Sequence, residues 1–243
     1  MLEECRINST GNARVVYICI PTMHAFQQLT IKNQDLCLSS DRSIYWEQEK
    51  ALVVSDLHIG KTGHFRKAGI AVPQSVFKED LQRLISLIQY FKPLKLIVVG
   101  DMFHSTANKE LELFTKWRAD FEGLDIKLVK GNHDILRKNW YTESSIELFD
   151  STLKIAGFCF QHDPGECGKE EDGKDHYVFS GHIHPGITIH GAGKQSLKFP
   201  CFYFTDTYCI LPAFSRFTGM VSIRPKDDDI TFAIVNNTIL RVN

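Results

Sequence analysis

The chain has 243 residues, 43% of them hydrophobic, with 28 Lys+Arg against 29 Asp+Glu and a net charge of -1. That length suits one substantial core rather than two domains, and the balanced charge excludes the global positive field that announces a nucleic-acid binder, so any polyanion has to be met by a local patch. No stretch approaches the roughly 18 apolar residues that span a bilayer, and seven cysteines, odd in number and without a C-x-x-C pair, point to reduced thiols in a cytoplasmic protein.

Residues 1–23 match no amphipathic pattern and read as an N-terminal extension or a first strand ahead of one domain over 24–243. The first clear element is an apolar run, Ala51 to Val54, expected as a buried strand. A basic loop carrying Lys61, His64, Arg66 and Lys67 follows it. Phe77, Leu81, Leu84, Ile85 and Ile88 then recur at helical spacing, with Ser75 placed to cap the helix and Pro93 forbidding its continuation. Leu94 to Val99 reads as a strand, about Lys109 to Phe121 as a helix ended by Gly123, and Ile126 to Val129 as a strand. Alternation of strand and helix is the signature of a layered α/β fold. From Gly157 onward the pieces are strand-like: the run Ile155 to Phe160, then Tyr177 to Phe179, Phe199 to Phe204, Thr207 to Leu211 and Ile230 to Val235, with the charged segment Gly165 to Asp175 as an exposed loop. The expected architecture is a four-layer α/β/β/α sandwich of two β-sheets flanked by helices.

Four polar clusters stand where strand-like runs give way to loops: Asp56-Leu57-His58, Gly100-Asp101, Gly131-Asn132-His133-Asp134 and Gly181-His182-Ile183-His184. Each alone is ordinary turn chemistry, but ligands in α/β proteins converge at the carboxyl ends of strands, and four such clusters in this order act as one motif. In an extended segment Asp56 and His58 point to the same side, as do His182 and His184, so each pair can offer two ligands to one cavity. Carboxylate and amide oxygens mixed with imidazole nitrogens, without thiolate, suit Mn²⁺, Fe²⁺ or Zn²⁺. Glycines just before Asp101, Asn132 and His182 allow the tight turns that aim these side chains inward.

The series D-x-H, G-D, G-N-H-D, a lone His and G-H-x-H resembles the calcineurin-like metallophosphoesterases over roughly residues 51 to 190. A narrower resemblance, carried by DLHIGKTGHFRKAGIAVP from Asp56 to Pro73, GDMFHS at 100 to 105, His162-Asp163-Pro164, FSGHIHPG at 179 to 186 and LPAFSRFTG at 211 to 219, is to the bacterial ligase-associated DNA damage response endonucleases. The resemblance implies the calcineurin-like fold with two mixed sheets. It implies that Asp56, His58, Asp101 and His184 hold one metal and that Asp101, Asn132, His162 and His182 hold the other, with Asp101 bridging. His133 would contact the scissile phosphate and protonate the leaving oxygen, and no protein nucleophile is needed. The metal so implied is Mn²⁺, with Fe²⁺ or Zn²⁺ as alternatives.

A phosphoesterase cage does not choose its substrate; the surrounding loops do. His64 and Arg66 are candidates for phosphates flanking the scissile one, with His104 as a further candidate. The subgroup resemblance implies a DNA-repair endonuclease acting on single-stranded or gapped DNA, associated functionally with DNA ligase and helicase repair proteins, as a monomer or homodimer and without a membrane. One rival is a phosphodiesterase or pyrophosphatase acting on a small nucleotide or a lipid-linked substrate, disfavoured because the span from Asp134 to His162 is too short for an apolar helical lid. Another is a non-catalytic scaffold, which should have lost ligands that here are all present.

Overall fold

Residues of high β propensity assemble into two sheets packed face to face, with helices against the first. The computed structural model describes residues 25–73, 75–104, 109–166, 176–191, Gly193 and 195–243; the N-terminal segment 1–23, most of the charged loop 165–175 and three cysteines (Cys5, Cys19 and Cys167) lie outside the described residues. The first sheet opens with an antiparallel meander of β1 (Phe26–Ile31), β2 (Gln34–Ser39) and β3 (Ser43–Trp46), which pairs antiparallel with β4 (Ala51–Val54). From β4 the sheet continues in parallel through β5 (Lys95–Val99), β6 (Asp125–Val129) and β7 (Ile146–Phe149). Between them run α1 (Lys61–Lys67), α2 (Ser75–Phe91), α3 (Lys109–Asp120) and α4 (Lys138–Glu143).

The second sheet has β8 (Thr152–Ile155), β9 (Phe158–Gln161), β10 (Tyr177–Ser180), β11 (Pro185–His190), β12 (Ser196–Phe204), β13 (Tyr208–Ile210) and β14 (Val221–Ser222) in the order β14-β11-β12-β13-β10-β9-β8, with β15 (Ile230–Val235) on β12 and β16 (Thr238–Arg241) on β15. β9, β10 and β13 run parallel and the remainder of that path is mixed, so both sheets are mixed as expected.

Burial explains the layering. Leu52, Val54, Leu96 and Val98 face a core filled by Phe77, Leu84, Leu87 and Ile88 of α2, Phe114 and Trp117 of α3 and Tyr141 of α4. Their sequence neighbours Ala51, Val53, Ile97 and Val99 face the second core, between the sheets, with Trp46, Phe158, Phe160, Phe179 and Phe202. Strands buried on both faces read as continuous apolar runs, which is why β4, β5 and β6 stand out in the sequence. Each large side chain so buried contributes roughly 1.5–3 kcal/mol.

Several expectations need correction. The run Ile155 to Phe160 is not one strand but a hairpin, because Ala156 and Gly157 take positive φ (46° and 85°) and turn the chain between β8 and β9, the two-residue geometry that matches strand twist. The 61–67 segment is helix α1 rather than a loop. Helix α2 starts at Ser75 itself and reaches Phe91. The first three strands, the short helix α4 and strand β11 have no counterpart among the expected elements.

Candidate metal centre

Five parallel strands end at one place. β4 leads into Ser55-Asp56, β5 into Gly100-Asp101, β6 into Gly131-Asn132-His133, β9 into His162, and β10 into Gly181-His182. Two triads result, Asp56-His58-His184 and Asp56-Asp101-His162, each with ligand atoms within 4.8 Å of one another. Asp56 Oδ1 lies 3.2 Å from His184 Nε2, and His58 Nε2 lies 3.3 Å from the same nitrogen. His162 Nε2 is 3.5 Å from Asp101 Oδ2 and 3.2 Å from His182 Nδ1. Donors about 2.1 Å from one ion and about 90–110° apart stand roughly 3.0–3.4 Å from each other, and these spacings match that geometry. Asp56 is fully buried, yet its Oδ1 has no hydrogen-bond partner, the state of a carboxylate oxygen waiting for a cation. The donor set fits divalent metals.

The ligands do not converge as an extended segment would make them. Asp56, His58, Asp101, His182 and His184 all have positive φ, between 49° and 68°. For non-glycine residues that region costs on the order of 1–2 kcal/mol each, and strain of this kind collects at functional sites. The side chains meet because the backbone is kinked at each ligand. Glycine serves a different purpose here than turn formation alone: Gly100 has positive φ (78°), but Gly131 and Gly181 do not. A Cβ on Gly131 would stand 2.3 Å from Asp101 Oδ1, and one on Gly181 would stand 1.8 Å from Ser55 Oγ and 2.6 Å from Asp56 Oδ2. Gly181→Ala is therefore expected to displace Asp56 and weaken metal binding by at least about tenfold, the loss typical of disturbing groups that orient metal ligands; calorimetric titration with Mn²⁺ measures it.

Outer contacts orient the rings. His184 Nδ1 meets Thr218 Oγ1 at 2.5 Å and the Gly219 carbonyl at 3.3 Å, and His162 Nδ1 lies 3.2 Å from the Val99 carbonyl. A carbonyl only accepts, so Nδ1 carries the proton in both rings and Nε2 faces the cage. Ser55 Oγ donates to Asp56 Oδ2, which also accepts the His182 backbone N–H at 3.2 Å. Asp134, fully buried, accepts the N–H groups of Phe103 (2.9 Å) and Gly131 (2.9 Å) and so ties the β5 and β6 loops together. Ser55 and Thr218 carry no spacing signal in the sequence, whereas Asp134 is marked only by closing the G-N-H-D motif.

Asp101 accepts the His133 N–H at 2.8 Å through Oδ1, and His133 Nε2 stands 4.0 Å from Oδ2. The resemblance implies Asp101 as the shared ligand; in the donor geometry of the described residues Asp56 is the carboxylate common to both triads, and Asp101 belongs to one of them. Asn132 lines a cavity with His162. His58 is held down near pH 2 by burial and by Lys61, and is thus a neutral ligand at any working pH. His162 behaves oppositely: burial works against its charge, but the hydrogen bond to Asp101 and the charges of Asp56 and Asp101 push it up to about 9. That raised value stabilises the metal-free fold below pH 6.5, and the contribution fades as pH rises through about 9. Coordination needs the neutral ring, so metal binding at pH 7 is expected to release about one proton, with apparent affinity rising up to about pH 9. Titrations in buffers of different ionisation enthalpy count that proton.

Of the three candidate substrate contacts, His104 and His64 continue outward from the cage. The His104 ring lies 4.1 Å from that of His133, tilted by 39°, and His64 lies 5.8 Å from His104. The Arg66 guanidinium is engaged by the buried Glu110 at 2.8 Å, which also accepts from Gly60 N–H and Thr62 Oγ1. Arg66 anchors α1 to α3, because a carboxylate buried to 1% exposure requires a cationic partner.

The family model for calcineurin-like phosphoesterases matches residues 49–169, the stretch that supplies Asp56 to His162 of this cage. The chain belongs to the calcineurin-like phosphoesterases. It is a metal-dependent phosphoesterase. Among solved structures it is similar to the nuclease MPE of Pseudomonas putida, at 29% identity and TM-score 0.75 over 89% of this chain and 100% of that one. The phosphoesterase Yfce of E. coli is a remote likeness, at 12% identity and TM-score 0.41 over 79% and 97% of the two chains. Comparison with curated protein sequences gives no significant match. No helix among the described residues is long and apolar enough to cross a membrane.

Proposed function

We propose that this phosphoesterase is a manganese-dependent endonuclease that hydrolyses internal phosphodiester bonds of single-stranded or gapped DNA. The observation that carries the reading is the row of rings leading out of the cage, His133 to His104 to His64, none of which is needed as a metal ligand. Such a track offers hydrogen-bond donors to phosphates beyond the scissile one, which a monoesterase does not require. Burial, followed by His133, holds His104 near pH 4, so it would meet a phosphate as a neutral donor. Likeness to a nuclease along nearly the whole chain supports the same substrate class.

Asp56, His58, Asp101 and His184 would hold one cation and Asp101, Asn132, His162 and His182 the other, with Asp56 close to both. Bound there, the pair would lower the pKa of a water and neutralise charge on the phosphoryl oxygens during in-line displacement. The protein's own part is positional. Asp101 fixes His133 through its backbone, leaving the imidazole half exposed to deliver a proton to the departing oxygen. The lipid-linked alternative finds less support, because Trp140 and Tyr141 of α4 pack on Phe103 and the core instead of forming an apolar lid. The reading extends to functional association with DNA ligase and helicase repair proteins in the cytoplasm, with the protein acting as a monomer or homodimer.

The test is circular single-stranded DNA, a chromogenic diester and a chromogenic monoester, each incubated in parallel with Mn²⁺, Fe²⁺ or Zn²⁺. Linearisation of the circle with Mn²⁺ is expected, and His133→Ala should keep metal while losing roughly 10²–10⁴-fold in turnover, the usual worth of a positioned proton donor. Diester turnover with an intact circle would transfer the protein to the small-substrate class.

A further inference from the structure

A second feature of the cage is open space beside Asn132 and His162, lined by none of the histidine row. A cavity of about 490 Å³ is lined by Lys130, Asn132, Ile135, Asp150, Asp163 and His162. Two of these are proposed ligands of one cation, and the volume lies within the range of small-ligand sites. The fold explains its placing. β6 and β7 pair in parallel with Val129 opposite Phe149, and the Lys130 N–H donates to the Phe149 carbonyl at 2.8 Å. Lys130 and Asp150 therefore leave neighbouring strands side by side, at the strand ends where α/β proteins gather ligands. Asp163 follows His162 directly, and its Oδ1 accepts the Gly165 N–H at 2.7 Å.

The lining selects a chemistry. Asp150 and Asp163 repel a second phosphate but accept hydrogen bonds from the amino or imide N–H groups of a base. Lys130 can donate to a base or sugar oxygen, and Ile135, 60% exposed, offers apolar surface to a base. We propose that this cavity is a nucleoside subsite: it takes the sugar and base attached to one ester oxygen of the scissile phosphate, while the rest of the substrate runs along His104 and His64. The inference rests on the phosphodiesterase reading above and deepens it, since a diester carries a group on each of two phosphate oxygens and the cavity is next to two of the proposed ligands.

The test compares the dinucleoside monophosphate thymidylyl-thymidine with bis(4-nitrophenyl) phosphate in the Mn²⁺-loaded full-length protein, wild type and Lys130→Ala/Asp150→Ala. Both side chains are exposed, so the variant is expected to fold, which circular dichroism checks. Loss of two polar contacts should raise KM for the dinucleoside, lowering its kcat/KM relative to the nitrophenyl ester by about tenfold or more. Equal losses on both substrates, or none on either, would overturn the subsite. If wild type hydrolyses the nitrophenyl ester and leaves the dinucleoside intact, the subsite fails and the phosphoesterase stands. If metal-loaded wild type hydrolyses neither, the phosphodiesterase reading itself has failed.

Discussion

Asp101→Ala is expected to abolish turnover of a chromogenic diester at every Mn²⁺ concentration supplied. The carboxylate has three tasks at once: it belongs to a ligand triad, it faces His162 Nε2 at 3.5 Å, and it holds the His133 backbone at 2.8 Å. Deleting one preorganised electrostatic group commonly costs roughly 10²–10³-fold in rate, and on the proposed assignment the loss would reach both cations and His133 together and should exceed that, more than about 4 kcal/mol of barrier. The metal-free protein provides a second readout. Asp101 is drawn below its ordinary range even though burial opposes this, because His162 bonds and charges favour the carboxylate. Removing it takes away the main support for His162's proton, so the high His162 pKa should fall and proton release on metal binding should shrink. Full activity of Asp101→Ala with metal supplied would dismantle the site assignment.

Asp80→Ala should produce the largest loss of stability, and it lies on no motif. Asp80 and Arg83 of α2 form an ion pair at 3.0 Å with side chains only 12% and 7% exposed. Asp80 also accepts the Arg216 N–H with both oxygens, at 3.3 and 3.1 Å, while Arg83 donates to the Phe214 carbonyl and lies 4.2 Å above the Phe214 ring. Arg42 adds bonds to the carbonyls of Ala213 (3.1 Å) and Ser215 (2.9 Å). The 213–216 segment so gripped donates to the carbonyls of Ser55 at 2.7 Å and Asp56 at 3.1 Å, and the same strap carries Thr218 to His184. It ties a ligand from the first sheet to one from the second. Burial pushes the Asp80 carboxyl up, against the pull of Arg83; without Asp80, Arg83 is a buried charge with its partner gone. Breaking such a pair costs about 3–5 kcal/mol, a fall in Tm of roughly 6–20 °C for a chain of this size. The double variant Asp80→Leu/Arg83→Met should recover much of that stability, since a buried pair can be replaced by apolar groups, yet remain weaker in metal binding because the Phe214 carbonyl and the Arg216 N–H lose their polar partners on α2. Thermal denaturation and metal titration of the three proteins separate the two effects; a double variant with normal metal affinity would show that the strap needs no ionic grip.

How much of this was legible beforehand depended on the range of the interactions. β4, β6, β10 and β15 were readable because strands buried on one or both faces write their burial as short apolar runs, and α2 because one face of Phe77, Leu84 and Ile88 repeats at helical spacing. α1, with KTGHFRK and a glycine inside it, has no such face; it is held by Glu110, fifty positions from Gly60 in sequence. The hairpin of β8 and β9 is not legible in the sequence, because Ala-Gly is a weak turn signal beside a pairing that only the folded sheet provides.

The same division runs through the site. Residue types and their positions after strands are local facts, so the sequence alone determined the family, the seven ligand candidates and the kind of metal they suit. That Arg66 pairs with Glu110, why two glycines must lack a Cβ, which carboxylate is common to both ligand triads, and that α2 grips the strap behind Asp56 were decided by the tertiary structure. Those outcomes come from groups far apart in the chain competing for the same charges and the same few cubic ångströms, and no local pattern records that competition.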